Sequence, residues 1–194
     1  MESGNGWAFS VDAGRSPGSP GGSGVVHALV TVACVQPPES LAGRMAEVII
    51  IDCSASAGEQ PGVLDGMRRA VAAAVAEIPV GVQFAILAGD ERARQVYPPG
   101  GGLAVADPGT RAAAQAAASS LEAWGGTAMG HWLHAARDLL AASSASLRHA
   151  TLVAASRDCG EDPEELDAAL AACEGVFTCD CRGAGSRSRQ PWRT

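Results

Sequence analysis

The chain has 194 residues, 47% of them hydrophobic and only 4% aromatic, so it has room for one domain whose core is built from Ala, Val, Leu and Ile. A net charge of -7 with scattered Lys and Arg excludes a nucleic-acid surface, which needs a basic stripe to displace counterions. No apolar stretch approaches the length of a membrane span.

In chain order, Met1 to Ser10 has neither a basic nor an apolar leader region, so no secretory signal is read there. Trp7–Val11 and Val25–Val35 are strand-like and predict an N-terminal β-hairpin or two edge strands. Between them AGRSPGSPGGSG is a linker or long turn. Pro37-Pro38 ends this unit, and residues 1–44 are assigned to it.

From Glu47 the pattern becomes strand–helix alternation. Glu47–Asp52 is a buried strand by its unbroken aliphatic run. Gly62–Ile78 carries Val63, Met67, Ala70, Val71, Ala74, Val75 and Ile78 at helical spacing, and Pro79 stops it. Val82–Leu87 is a second buried strand and Gln95–Tyr97 a short third. An Ala-rich helix runs from Pro108 to near Trp124, Gly125-Gly126-Thr127 turns into a helix over 128–142, and Ala150–Ala155 is a fourth strand. Pro163, at a favoured first-turn position, opens a helix that ends at Glu174-Gly175, before a fifth strand, Val176–Cys181. The Gly/Ser/Arg-rich tail 184–194 is expected to be disordered. This order predicts an α/β fold with a mostly parallel central sheet and helices on both faces. Right-handed crossovers put the strand carboxyl ends, where such sheets bind ligands, on one edge.

Asp52-Cys53-Ser54-Ala55-Ser56 falls on that edge. One carboxylate and two hydroxyls spaced two apart on a strand-to-helix turn make a hard oxygen cradle, suited to Mg²⁺ or Mn²⁺ rather than Zn²⁺ or Cu⁺. A plain turn with an N-cap serine explains the same residues without a metal.

With Gly125-Gly126-Thr127 and Arg148-His149-Ala150-Thr151-Leu152-Val153 placed in order after it, the motif resembles the von Willebrand factor A (vWA) domain over about residues 45–183. The stretches Phe84–Val96, Val105–Thr110 and Phe177–Asp180 are similar to bacterial, actinobacterial-like members. The resemblance implies a Rossmann-like sheet and a metal-ion-dependent adhesion site (MIDAS), with Asp52, Ser54, Ser56 and Thr127 as the metal set. The family's third loop carries T-D-G, and this chain has Ala154-Ala155-Ser156 there. Ala155 thus replaces an aspartate, and Asp158 is the nearest acid that could stand in for it. Loop acids such as Asp158, Glu161 and Asp162 are more often solvated than ligating. Fewer charged ligands mean weaker binding, so either a weak Mg²⁺ or Mn²⁺ site or none is expected. Ala55, where the family prefers Gly, is expected to tighten the turn. The family's usual last helix and strand are not found before the tail, which reads as an apparent C-terminal truncation.

The function this implies is protein binding, through an acidic side chain of the ligand, by a cytoplasmic module. A metal-independent or decayed scaffold is the alternative. Six cysteines without a CxxC pair argue against a zinc knuckle and for reduced thiols. An aspartate-based hydrolase needs a second acid two residues after Asp52, where Ser54 stands, and neither G-x-S-x-G nor G-x-x-x-x-G-K-[ST] occurs. The protein is therefore read as a non-enzyme. His131 and His134 share a helix face without a third ligand. Trp132 is expected as a packing anchor, and Trp124 as an anchor or a rim to the site.

Overall fold

The computed structural model describes residues 7–15, 26–34, 41–154 and 162–183. The linker, the segment that holds Ala155, Asp158 and Glu161, and the tail lie outside them. Two units are separable, Met1–Ser40 and Leu41–Thr194. In the first, β1 (Trp7–Arg15) pairs antiparallel with β2 (Val26–Cys34), Trp7 opposite Cys34 and Arg15 opposite Val26.

The second unit runs β3 (Met45–Asp52), α1 (Ala55–Glu59), α2 (Val63–Glu77), β4 (Gln83–Gly89), β5 (Ala93–Tyr97), β6 (Ala104–Val105), α3 (Pro108–Ser119), α4 (Met129–Ala141), β7 (Leu147–Ala154), α5 (Pro163–Cys173) and β8 (Thr178–Gly183). The sheet order is β5-β4-β3-β7-β8, with β6 also on β4. β3 is parallel to β4 and β7, and β7 to β8; β5 and β6 are antiparallel to β4. The class is α/β with a mixed, mostly parallel sheet.

Alternation along β3 divides the core. Ile49 and Ile51 join Met67, Val71 and Val75 of α2 and Ala114 and Ala118 of α3. Val48 and Ile50 point the other way, to Trp132, Ala136 and Leu140 of α4. α5 closes that second layer through Leu133, Ala169 and Cys173. Each buried Ile side chain contributes about 1.5–3 kcal/mol, which is why this strand tolerates no polar residue between Val48 and Ile51.

Several boundaries differ from the sequence reading. The Ala-rich helix stops at Ser119 rather than near Trp124. Ser119 Oγ donates to Gln115 O (2.8 Å) and Ser120 Oγ to Ala117 O (2.9 Å), so hydroxyls occupy the carbonyls of the last turn. The third strand is longer than expected and antiparallel, and α1 and β6 were too short to show a period. Among the described residues no helix is long and apolar enough to cross a membrane.

Candidate metal centre

Asp52 is the last residue of β3, and the strand pairing continues one step further, where Cys53 N donates to Gly89 O (2.7 Å). Asp52 and Ser54 are buried at 2% and 1% exposure, whereas Ser56 is exposed. Ser54 donates to Asp52 Oδ1 twice, from N (2.9 Å) and from Oγ (2.6 Å). Its single hydroxyl hydrogen is thereby used, so in the 3.0 Å contact between the two serines Ser56 is the donor. Octahedral Mg²⁺ with ligands at 2.0–2.1 Å sets neighbouring oxygens about 2.9 Å apart. The serine pair already has nearly that spacing, and the donor set is all oxygen, so these residues fit the ion. The expected strain at Ala55 does not arise: it is the first residue of α1, in right-handed helical conformation that any L-residue adopts.

The second segment reaches this loop because of how the helices are shared between the layers. α3 packs on the Ile49/Ile51 face and α4 on the Val48/Ile50 face. The connection between them has to cross an edge of the sheet, and it crosses at the carboxyl edge. Trp124 N donates to Cys53 O (2.9 Å), Ala55 N to Gly125 O (3.0 Å) and Ala128 N to Asp90 O (3.0 Å). Gly125 has φ +74°, and a Cβ on Gly126 would lie 3.2 Å from Glu91 Cγ, so the glycine pair permits this close crossing. Thr127, half-buried, follows two residues after the contact with Ala55. The structure thus links Asp52 to Ser54 and Ser54 to Ser56, and ties the Thr127 loop to this segment by its backbone. Ala155 and Asp158 lie outside the described residues. Among the described residues no three of His, Cys, Asp and Glu gather for a metal, so among them the oxygens offered to an ion here are chiefly hydroxyls.

Sequence reasoning missed Asp90. It directly follows β4, beside Asp52 across the parallel register that pairs Asp52 with Gly89, and is 6% exposed. Arg92 N donates to its Oδ1 (2.9 Å), and Trp132 Nε1 to its carbonyl (2.8 Å). A Gly-Asp pair just past the second buried strand was the available signal. Trp132 is wholly buried, as its role as an anchor requires, and Trp124 is 60% exposed beside the loop. The Cys53 thiol is pushed up to about 12, first by burial and then by the Asp52 carboxylate. It is therefore a proton-bearing side chain at neutral pH, packed in the core with Ile51 and Ala57. His131 is exposed, with Nδ1 3.2 Å from Glu91 O.

No family model and no curated protein matches the chain. Among solved structures, it is similar to a von Willebrand factor type A protein from Catenulispora acidiphila, at 36% identity and a TM-score of 0.70 over 94% of this chain and 42% of that one. It is also similar to proximal thread matrix protein 1 from the mussel byssus, described with a zinc-occupied MIDAS motif, at 21% identity, with a TM-score of 0.56, covering 73% of this chain and 36% of that one. The vWF domain of the type V pili tip protein Mfa5 from Porphyromonas gingivalis matches at 19% identity and a TM-score of 0.50, over 60% and 39% of the two chains. The chain spans well under half the length of each of these proteins. With the sheet order, the crossing loop and the similarity to the Catenulispora protein in agreement, the unit that begins at Leu41 is a von Willebrand factor A domain.

Proposed function

We propose that this domain is a protein-binding module with a weak Mg²⁺- or Mn²⁺-dependent ligand site and no catalytic role. Ser54, Ser56 and Thr127 supply neutral oxygens to the ion, and Asp52 holds Ser54 in place by taking its hydroxyl hydrogen. When bound, the ion offers a positive coordination position to an acidic side chain of the partner. The observation that carries this reading is the 3.0 Å serine pair fixed by Asp52, spaced as two neighbouring ligands of one ion. The mussel protein with its zinc-occupied site supports the fold's capacity for metal. Hard oxygen donors favour Mg²⁺ or Mn²⁺ over Zn²⁺ here. We place the module in residues 45–183 and the protein in the cytoplasm, both from sequence.

Calorimetric titration with Mg²⁺ and Mn²⁺ tests the reading, with Ser56→Ala as control because its hydroxyl is exposed and its loss spares the core. Saturable heat that vanishes in the variant supports it. No heat, and a melting temperature indifferent to excess metal, favours a metal-independent scaffold. Ala155→Asp restores a carboxylate where the family has one. It should tighten Mg²⁺ binding by at least about tenfold, since one charge near a divalent ion is worth more than 1.4 kcal/mol at the effective dielectric of a protein surface. No gain in a folded variant would count against Ala155 as the third-loop position.

A further inference from the structure

A groove of about 420 Å³ lies beside the crossing loop, lined by Arg94, Val96, Pro99, Ser120, Glu122 and Trp124 among others. Two of its walls are fixed to the candidate centre. Trp124 is held through its backbone N–H to Cys53 O (2.9 Å), the residue between Asp52 and Ser54, while its indole stays 60% exposed. Arg94 belongs to β5, the strand against the end of β4, where it sits opposite Ala88. Ala88 in turn pairs with Ile51, the residue before Asp52, so strand register sets Arg94 two strands from the same loop.

Arg94 is exposed, and its side chain makes no ion pair or hydrogen bond with another described residue, although the chain has 21 acidic residues against 14 Lys and Arg. A guanidinium left open in an acidic protein, next to a bare indole, matches a carboxylate with an apolar neighbour brought from outside. Glu122, exposed in the same lining, repels a carboxylate and so directs it to the Arg94 side.

We propose that this groove is a second contact point for the ligand of the candidate metal centre, selecting an acidic peptide. One carboxylate goes to the ion, an apolar side chain lies over Trp124, and a second carboxylate pairs with Arg94. The assignment rests on the metal-dependent reading above and adds the class of partner to it.

The test uses the full chain in excess Mg²⁺ with two synthetic probes, N-acetyl-Glu-Leu-Glu-amide and N-acetyl-Glu-Leu-Gln-amide, and follows the Trp124 indole resonance, assigned with Trp124→Phe. The two-carboxylate peptide should bind about fivefold more tightly, the worth of one exposed charge pair, and shift the indole. Arg94→Gln should abolish the preference, whereas Mg²⁺ binding should not weaken, because a nearby positive charge has been removed. Arg94→Lys should keep part of the preference. Equal binding of both peptides, no binding of either, or a preference that survives Arg94→Gln overturns the groove assignment while Mg²⁺ still titrates. Absence of Mg²⁺ binding in the unaltered protein overturns the metal reading, and this assignment with it.

Discussion

Gly89 shows how one missing side chain can position a site. A Cβ there would lie 2.3 Å from Trp132 Cδ2 and Cε2, so the indole can lie flat on the strand end only above glycine. The same indole donates to Asp90 O, which also accepts from Ala128 N at the start of α4. Gly89→Ala should therefore push Trp132 away, at a cost of about 1–3 kcal/mol for overpacking, and should loosen the Thr127 loop as well. A lower urea midpoint, with the Trp132 indole shifted in the NMR spectrum, is the expected result; an unchanged midpoint would show that the strand end yields freely. Cys53 gives a pH signature. Its folded thiol titrates near 12 against 9.0 for an ordinary one. Below pH 9 both states keep the proton and its contribution is fully present. Between pH 9 and about 12 the unfolded thiol ionises while the folded one does not, and stability falls. Cys53→Ser should flatten that alkaline limb of a denaturation-versus-pH curve.

Between elements, a buried polar cluster joins β3 to β7. Glu47, 7% exposed, sits opposite His149 in register, accepts from Thr151 Oγ1 (2.8 Å) and lies 2.8 Å from His149 Nδ1. Glu47→Ala would leave the buried Thr151 hydroxyl without its acceptor, and a loss of about 1–3 kcal/mol is expected. The double variant Glu47→Ala/Thr151→Val should recover part of it, read as a melting-temperature difference between single and double variants. This tie was invisible in the sequence, where Glu47 was only the first residue of an apolar strand, because the partner strand lies a hundred residues away in the chain. Local features were legible: the aliphatic run of β3, the period of α2, and the oxygens of Asp52, Ser54 and Ser56, which interact within five residues. The approach of Thr127 was readable only through the family resemblance. Asp90 and Arg94 reach the site by strand register, and register leaves no trace in a single motif. The end of α3 was misplaced because alanine continues a helix by propensity, while Ser119 and Ser120 end it by bonding back to carbonyls.

At the scale of the whole domain, the candidate centre lies where two apolar layers are stitched together. α1, α2 and α3 contribute to one layer and α4 and α5 to the other. The segment joining α3 to α4 passes the end of β3 and is held by Trp124 N to Cys53 O and Ala55 N to Gly125 O. An ion gripped by Ser54, Ser56 and Thr127 would bridge the same two segments that these bonds join, so its binding energy would resist their separation. A ligand that binds only the folded chain stabilises it by about 2.7 kcal/mol at a hundredfold excess over its dissociation constant. Mg²⁺ at that excess should raise the melting temperature, and hydrogen exchange should slow most at the amides of Ala55 and Trp124. Amides of α5, whose contacts lie with α4 and the far strands, should respond only as much as global stability does. The pattern of protection separates the possible roles: slowing at Ala55 and Trp124 that exceeds the global change places the ion at the crossing, whereas uniform slowing across both layers would put the bound metal elsewhere on the domain.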